Sequence, residues 1–250
     1  MKADAGRDTH IRLFTEAALE SGGRVKLTAA QTHYLTHVMR LRRGDGLAVF
    51  NGRDGEWRAR VASTAKAAAV LDIGDNTRPQ ETPPDIWLLC APVKRARMDY
   101  LAQKATEMGV SRLVPVITEH TQNRRVNLDR LQANAIEAAE QCGRLSVPEI
   151  ADPVPLAALF DGWEAARRIV FCNPDAEGQA LEELRGAPLA VLVGPEGGFS
   201  NAETAALDAR PETHGLNLGA RILRTDTAVV AALALVQSRI GDWRGGGDLL

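Results

Sequence analysis

Two glycine-containing stretches in the last quarter of the chain have the residue types that build small-molecule sites. The first, GPEGG at residues 194–198, follows the apolar run LAVLV, and the second, LNLG, occupies residues 216–219. Glycine allows positive φ and lets the backbone approach a ligand closely. A strand that runs into such a loop is typical of nucleotide-type sites. Two such loops side by side predict a pocket.

The two commonest nucleotide-binding loops are excluded. The spacing of Gly194, Gly197 and Gly198 does not give GxGxxG, and the loop lies late in its domain rather than at the first strand-to-helix turn. No GK[ST] sequence occurs in the chain, which excludes a Walker A loop. The site must therefore use another geometry.

Alternating strands and helices are predicted to position these loops. Residues 76–85, NTRPQETPPD, are polar and proline-rich and form the best linker candidate. After them, strand-like and helix-like runs alternate, which indicates an α/β domain with a parallel sheet covered on both faces. Ser200 and Glu203 form a capping box that begins a helix directly after the GPEGG loop. The strand-like runs are IWLLCAP, RLVPVIT, RIVFCNP, LAVLVGP and HGLNLG, and the helix-like runs are MDYLAQKATEMGV and NLDRLQANAIEAAEQCGR.

The region before the linker is predicted to be rich in β-structure. Five short runs, separated by turn signals such as SGG, RRGDG and NGRDG, suggest a small barrel or sandwich. One helix over residues 29–41 interrupts them, with Leu35 and Val38 on its apolar face. Basic residues at its end either complement the helix dipole or contact RNA. They are Arg40, Arg42 and Arg43.

Composition and charge limit the class of protein and the kind of partner it could bind. The 250 residues are 45% hydrophobic and 25% charged, as in soluble globular proteins. The first 80 residues contain 13 lysines and arginines against 9 acids, a balance of +4, whereas the remainder carries 17 against 23, a balance of −6. A basic amino-terminal module suggests a phosphate-bearing partner. No apolar run is long enough for a membrane span, and we expect a cytoplasmic protein without a membrane partner.

Neither a disulfide framework nor a metal site is indicated. Three widely spaced cysteines form no CxxC pair. His33 and His37 have a spacing that metal ligands can use, but no further ligand pattern follows. We therefore predict no bound metal.

Four motifs, in order, resemble the ribosomal RNA small subunit methyltransferase E family, and the resemblance covers nearly the whole chain. The amino-terminal GRDTHIRLF and HVMRLRRGD are also similar to that family. The four motifs are YLAQKATEMGV at 100–110, EAAEQCGR at 137–144, GPEGGFSNAE at 194–203 and LNLGARILRTDTA at 216–228.

The resemblance implies a SPOUT-type methyltransferase. A PUA-like, RNA-binding β-barrel would occupy residues 1–78, and an α/β domain with a deep trefoil knot would occupy residues 79–250. The family uses S-adenosylmethionine, works as a homodimer and methylates N3 of a uridine in 16S rRNA of the small ribosomal subunit. The apolar run at 228–236 is expected in the core or against the partner subunit.

The resemblance also implies which residues hold the cofactor. Backbone groups of the knot loops would provide most contacts, with Leu218, Ile222 and Leu223 as apolar walls unless they are core residues. The expected cofactor-binding residues are Phe171, Asn173, Leu192, Gly194, Glu196, Gly197, Gly198, Leu216, Leu218, Gly219, Ile222, Leu223 and Thr225. Glu196 either contacts the ligand or fixes its loop.

Catalysis requires a group that handles the N3 proton or the developing negative charge. Arg224, beside the cofactor loop, is the leading candidate for electrostatic stabilisation. Arg144 is the second, although a helix-terminal charge or a phosphate contact fits it equally well. No residue stands out as a general base.

Further cations are expected to hold RNA phosphates near the pocket. They follow the first two strands of the α/β domain, and strand carboxyl ends are where α/β sites collect. They are Lys94, Arg97, Arg124 and Arg125. With 4% aromatic residues, a broad base-stacking platform is not expected.

Two residues depart from the family pattern, and two alternative functions remain open. Asp226 stands where the family has glutamate, and Cys142 stands where a small polar residue is common. The same fold could methylate transfer RNA or a ribose 2′-hydroxyl, although the NxxNxGxxxR-type motif of ribose methyltransferases is not found. The chain could also be a non-catalytic RNA-binding or ribosome-assembly factor.

Overall fold

A computed structural model describes residues 6–65, 68–176 and 181–244. The chain divides into two compact units. Unit 1 contains Met1–Thr82 and Ala139–Ser146, and unit 2 contains Pro83–Ala138 and Val147–Leu250. Within the described ranges, no helix is long and apolar enough to cross a membrane.

Unit 1 is built on a five-stranded sheet, and all five predicted β-runs are strands. The strands are β1 (Asp8–Phe14), β2 (Arg24–Lys26), β3 (Gly46–Phe50), β4 (Glu56–Ser63) and β5 (Val70–Arg78). Their order is β1-β3-β4-β5-β2, with β1 parallel to β3 and the other pairs antiparallel. Alternating residues such as Val49, Val61 and Leu71 form its core. Strand β5 takes up the first three residues of the predicted linker.

The single helix of unit 1 is shorter than predicted. Helix α1 (Ala29–His33) begins with a Thr28–Gln31 capping box and continues as a π-helical turn at Tyr34–Val38. In that turn the Met39 amide donates to the Tyr34 carbonyl at 2.9 Å, five residues back. The extra residue per turn changes which side chains face inward. Val38, predicted on the apolar face, is 57% exposed.

Unit 1 also includes the end of the third helix. The Arg12 guanidinium donates to the Ala139 carbonyl at 2.6 Å and to the Arg144 carbonyl at 2.7 Å. The same side chain pairs with Glu56 at 2.7 Å and stacks on the Phe50 ring. Arg12 therefore satisfies carbonyl groups that a helix leaves unpaired at its carboxyl end.

Unit 2 has the predicted alternation of strands and helices. Its strands are β6 (Ile86–Cys90), β7 (Arg112–Ile117), β8 (Glu149–Ile150), β9 (Val154–Pro155), β10 (Arg168–Cys172), β11 (Leu189–Val193) and β12 (Thr213–Leu216). Its longer helices are α2 (Arg95–Glu107), α3 (Leu128–Cys142), α4 (Asn201–Asp208) and α5 (Thr225–Arg239). The sheet is parallel throughout, in the order β12-β10-β11-β6-β7-β8, and β9 pairs with β7.

Both faces of this sheet are covered, as predicted. Every residue of β11 is buried. Val191 belongs to a cluster that includes residues of α2 and α5, whereas Leu192 packs in a second cluster with Leu207 of α4. The predicted caps are also present: the Asn127 side chain accepts the Arg130 amide at 2.9 Å, and Ser200 and Glu203 form a capping box. The carboxyl ends of β10, β11 and β12 therefore open at one edge of a rigid sheet.

Candidate active site at the carboxyl ends of the parallel strands

The GPEGG loop turns sharply after β11. The Gly198 amide donates to the Pro195 carbonyl at 2.8 Å, and Gly198 has φ +68°. At Gly194 a Cβ atom would lie 3.2 Å from the Phe199 ring, which is tighter than ordinary packing. Glycine is thus required at both ends of the turn, for its conformation at one and for space at the other.

Two neighbouring loops are tied to this turn. The buried Thr225 hydroxyl, at the start of α5, donates to the Gly194 carbonyl at 3.1 Å. The Asn173 amide, after β10, donates to the Leu216 carbonyl of β12 at 3.0 Å. The Asn217 side chain donates to the Pro174 carbonyl at 2.6 Å. These bonds connect the segments after β10, β11 and β12.

The three segments enclose a cavity of about 540 Å³, which we call the glycine-loop cavity. It lies within the size range of small-molecule and cofactor sites. The predicted residues that line it are Asn173, Gly194, Glu196, Gly197, Gly198, Leu216, Leu218, Gly219, Ile222, Leu223 and Thr225.

Two predicted cofactor residues do not line this cavity. Phe171 and Leu192 are 1% and 0% exposed, and their side chains belong to a core cluster that also contains Phe199. Residues near the end of a strand alternate between the faces of the sheet, so a motif that ends in a loop also contains core residues. A side-chain contact from either residue to a ligand is therefore not expected.

The cavity also has lining residues that the sequence analysis missed. One face of α4 contributes Asn201, Thr204, Ala205 and Asp208. Their spacing of three, one and three residues is that of one helix face. This spacing is the sequence pattern that could have identified them as lining residues. Cys172, Asp175, Phe199 and Arg221 complete the polar and aromatic lining.

The lining suits S-adenosylmethionine. Leu218, Ile222 and Leu223 line the cavity with apolar surface; Leu218 and Leu223 also pack against the core, whereas Ile222 is 93% exposed. Asp175 and Asp208 provide acceptors for hydroxyl or ammonium groups. Burial raises the pKa of the Cys172 thiol to about 12, so this side chain is a neutral wall rather than a nucleophile.

The ion-pair partner of Glu196 indicates the role of its carboxylate. Its carboxylate pairs with the Arg97 guanidinium, whose Nε lies 4.0 Å from Asp226 Oδ2. Arg97 thus links the GPEGG loop to the first turn of α5. Glu196 fixes its loop through this ion pair and also lines the cavity. Asp226, expected to stand where glutamate is usual in the family, has a cationic partner in Arg97.

A second cavity adjoins the first along the GPEGG loop. This cationic cavity has a volume of about 580 Å³ and shares Pro195, Glu196 and Gly197 with the glycine-loop cavity. Its remaining lining residues are Pro92, Val93, Lys94, Arg97, His120, Gln122, Asn123 and Arg224. The side chains of Lys94 and Arg224 are exposed and make no hydrogen bond or ion pair with any residue in the described part of the chain.

The other predicted cations lie elsewhere. Arg144 belongs to unit 1, where its guanidinium donates to the Ser146 hydroxyl at 3.1 Å, and it lines neither cavity. Arg124 and Arg125 are exposed between β7 and α3, and Arg40, Arg42 and Arg43 are exposed after the π-helical turn. Their catalytic and RNA-binding roles stay predictions.

The histidine pair of unit 1 stacks ring on ring, and the described residues around it supply no set of three metal ligands. The His33 and His37 rings stack at a centroid distance of 4.8 Å. Among the residues with described positions, no three His, Cys, Asp or Glu side chains form a group that could hold a metal ion.

Comparisons with known proteins agree with this geometry. A family model for an RNA methyltransferase domain matches residues 80–237, and one for an RNA methyltransferase PUA domain matches residues 27–73. A ribosomal RNA small subunit methyltransferase E from Rickettsia conorii is 30% identical over 90% of this chain and 94% of its own length. The corresponding protein of Synechocystis is 32% identical over 86% of this chain and 73% of its own length.

A solved structure is similar over the same extent. It is a ribosomal RNA small subunit methyltransferase E from Neisseria gonorrhoeae bound to S-adenosyl methionine, 29% identical, with a TM-score of 0.83. The alignment covers 92% of this chain and 98% of that one. The α/β fold with a PUA domain that the sequence predicted is confirmed. The chain belongs to the ribosomal RNA small subunit methyltransferase E family.

Proposed function

We propose that this protein transfers the methyl group of S-adenosylmethionine to N3 of a uridine in 16S rRNA. The observation that carries the proposal is the glycine-loop cavity, whose wall is formed by three segments at the carboxyl ends of β10, β11 and β12. Relatives across most of the chain are named as methyltransferases of small-subunit ribosomal RNA, and the Neisseria protein was solved with S-adenosylmethionine bound.

The residues of the chain bind and orient the reactants. When bound, S-adenosylmethionine supplies a methyl group on a positively charged sulfur, ready for an in-line nucleophile. Backbone groups of the glycine loops hold it, and the apolar residues after β12 cover its adenine. Positioning of this kind supplies much of the rate of a transfer reaction. Arg224 is exposed at the cationic cavity, and its side chain has no hydrogen-bond or ion-pair partner among the described residues. It stabilises negative charge on the uracil oxygens as N3 loses its proton.

The cofactor loops are proposed to form a trefoil knot. The family resemblance supports this arrangement, and the hydrogen bond from Thr225 to the Gly194 carbonyl is compatible with it, because it joins the start of α5 to the end of β11, 31 residues earlier. A knot is rare among folds, and sequence periodicity does not predict one. The pairing of Arg97 with Glu196 and Asp226 closes the same region.

Helix α5 supports a homodimer. Its buried face holds Val229, Ala232, Leu233 and Val236, each 0% exposed. Its other face is also apolar, and Leu235 there is 36% exposed. A helix with apolar residues nearly all round requires a second covering surface, and we propose a second copy of the chain. Arg144 would then act in catalysis from one of the two protomers.

The remaining proposals concern the domain and residues that bind RNA and the cellular compartment of the enzyme. Residues 1–78 form the proposed RNA-binding domain, and residues 79–250 form the methyltransferase domain. The exposed cations Arg40, Arg42, Arg43, Arg124 and Arg125, together with Lys94, would contact phosphates. The enzyme works in the cytoplasm, where ribosomal subunits are assembled.

Labelled methyl transfer tests the proposal. The protein is incubated with methyl-labelled S-adenosylmethionine and small ribosomal subunits from cells that lack this activity, and the RNA is digested to nucleosides. The expected product is 3-methyluridine. Label in a 2′-O-methyl nucleoside or in transfer RNA would contradict the target, and binding of S-adenosylmethionine without transfer would indicate a non-catalytic factor. Parallel reactions with protein-free 16S rRNA show whether the substrate is the RNA or the assembled subunit.

A further inference from the structure

The cationic cavity contains one histidine, His120, which is not among the predicted catalytic or binding residues. His120 is exposed at the carboxyl end of β7 and packs directly on the GPEGG loop, so that a Cβ atom at Gly197 would lie 3.3 Å from the His120 Cβ. Uridine N3 carries a proton that must leave before or during methyl transfer. A histidine beside the acceptor site is the side chain that most often performs such a step in enzymes.

The hydrogen bonds of His120 fix which ring nitrogen carries the proton. Its Nδ1 lies 3.0 Å from the Gly197 carbonyl oxygen and 3.2 Å from the Gly198 carbonyl oxygen. Carbonyl oxygens only accept hydrogen bonds, so Nδ1 must be the donor. In the neutral ring the lone pair is then on Nε2. The loop that forms the glycine-loop cavity therefore selects the tautomer in which Nε2 can accept a proton.

The backbone around His120 is held in place. The Thr121 amide donates to the Thr118 carbonyl at 3.2 Å, and the Thr118 amide donates to the Thr121 hydroxyl at 2.9 Å, which closes a tight turn. The Glu119 amide donates to Glu203 at 2.8 Å, and Glu203 is the N3 residue of the capping box of α4. The turn is thus connected to the helix that lines the glycine-loop cavity. Such support is what keeps a reacting group in a productive position.

The cavity matches the edge of uracil that reacts. On that edge a donor, N3–H, stands between two acceptors, O2 and O4. His120 Nε2 is an acceptor, and the cavity also contains the donors of Lys94, Arg224 and Asn123. One hydrogen of Asn123 Nδ2 is used by the Val93 carbonyl at 3.0 Å, which orients the amide and leaves its other hydrogen for a ligand. Cytosine has a lone pair at N3 and would meet the Nε2 lone pair unfavourably.

We propose that the cationic cavity receives the target uracil and that His120 is the general base that removes its N3 proton. This inference rests on the proposed function and adds the group that takes the proton. The N3–H bond breaks, and the proton passes to His120 Nε2. After the proton has left, the freed N3 electron pair forms the new N–CH₃ bond as the C–S bond breaks, and the sulfur keeps the electron pair of the C–S bond and becomes neutral. The imidazolium then releases its proton to water. Among the residues that line the cavity, Lys94, Arg97 and Arg224 are cationic and Glu196 is anionic, and the turn of His120 also contains Glu119, whose amide donates to Glu203.

A substitution that keeps the loop contact but removes the base tests this proposal. In His120→Asn, the amide Nδ2 can replace the Nδ1 donor to the loop carbonyls, while no atom replaces Nε2. We expect kcat for 3-methyluridine formation to fall about 100-fold, with the Kd for S-adenosylmethionine from calorimetry unchanged within about twofold. The variant should regain rate as the pH is raised, because hydroxide can remove the N3 proton. His214→Asn, at a half-buried histidine of β12 that lines neither cavity, is the matched control and should keep the wild-type rate.

A second measurement does not depend on activity. Long-range ¹H–¹⁵N correlation spectra of the full-length wild-type protein should show His120 as the Nδ1-protonated tautomer. An Nε2-protonated ring would overturn the proposal. So would a His120→Asn variant with a rate within threefold of wild type, or one that loses rate and cofactor affinity together, since that pattern indicates only a brace for the loop. If wild-type protein forms no 3-methyluridine, the proposed function fails and this inference fails with it.

Discussion

Two cavities of the same volume, about 540 Å³ each, lie at opposite ends of the parallel sheet of unit 2. The glycine-loop cavity is at the carboxyl ends of the strands. The other, which we call the tryptophan cavity, is at the amino ends and is lined by Trp87, Trp163, Arg112 and Arg167 among others. Cavity volume therefore does not distinguish a ligand-binding site from a structural crevice. The pairing of the charged side chains does distinguish them.

The arginines of the tryptophan cavity already have ion-pair and stacking partners, although the Nε atoms of Arg112 and Arg167 are buried without a hydrogen-bond partner among the described residues. Arg167, 4% exposed, pairs with Asp85 at 2.8 Å and stacks 3.9 Å above the Trp87 ring. The Arg112 guanidinium carbon lies 4.6 Å from the centroid of the Trp87 ring, and the guanidinium pairs with Glu149 at 3.3 Å. At the carboxyl end, by contrast, Lys94 and Arg224 have no such partner among the described residues. Paired and stacked charges stabilise the fold, whereas exposed unpaired cations beside a pocket are available to a ligand.

The largest effect is expected at Arg224. Replacing it with alanine removes the cation proposed to stabilise the uracil anion, and kcat should fall about 100-fold to 1,000-fold. Thermal stability should change little, because the side chain is exposed and unpaired within the described structure. Steady-state methylation and a melting curve check both statements. Arg185→Ala, at an exposed arginine of the same unit, is the control and should keep the wild-type rate. A wild-type rate for Arg224→Ala as well would contradict the functional role given to the cations at the carboxyl ends of the strands.

The opposite pattern is expected at Arg167. Arg167→Ala removes the hydrogen bonds to Asp85 and to the Leu189 carbonyl as well as the stack on Trp87. We expect a loss of about 2–3 kcal/mol in the free energy of unfolding, below the value for a fully buried pair because Asp85 is half-exposed. Urea unfolding measures this loss. Affinity for S-adenosylmethionine should be unchanged at temperatures where the variant is folded, and a large loss of affinity would show that the two ends are not independent.

A smaller effect is expected at Thr225. Thr225→Val removes the buried hydrogen bond to Gly194 and leaves that carbonyl without its partner. The expected cost is about 1–1.5 kcal/mol, seen as a roughly tenfold weaker Kd for S-adenosylmethionine in calorimetry. Thr225→Ser keeps the hydroxyl and should bind almost as the wild type does. Equal weakening in both variants would point to packing rather than to the hydrogen bond.

The smallest effect is expected at Cys172. Its thiol lines the glycine-loop cavity, and burial raises its pKa to about 12, as it does for Cys90. Both thiols stay protonated at pH 8 and should react slowly with iodoacetamide, whereas exposed Cys142 reacts first. Peptide mass spectrometry identifies the labelled residue. Cys172→Ala should retain methyl transfer within about twofold, and rapid labelling of Cys172 would contradict its assignment as an inert wall.

The sequence was informative where local pattern decides structure. Apolar periodicity located the strands, and Ser200 with Glu203 located the start of α4. Glycine loops located the cavity, because the conformation of Gly198 requires that residue type. The family resemblance added the cofactor and the expected knot. None of these depends on knowing which distant residues meet.

The sequence was uninformative where distant contacts decide. Leu192 looked like a pocket residue, but the pleat of β11 turns its side chain into the core. The π-helical turn that exposes Val38 leaves no signal in a run that reads as an ordinary helix. His120 belongs to no motif, and its tautomer depends on a carbonyl group 77 residues away in the chain. Such features follow from tertiary packing, which periodicity does not encode.

One titration tests most directly which end of the sheet binds the cofactor. S-adenosylmethionine is added to uniformly ¹⁵N-labelled protein, and amide and indole signals are followed in transverse-relaxation-optimised spectra. The amides of Gly194, Gly197 and Gly198 should shift, and the indole signals of Trp87 and Trp163 should stay in place. Movement of the indole signals with the glycine amides unchanged would place the ligand at the tryptophan cavity and contradict the account.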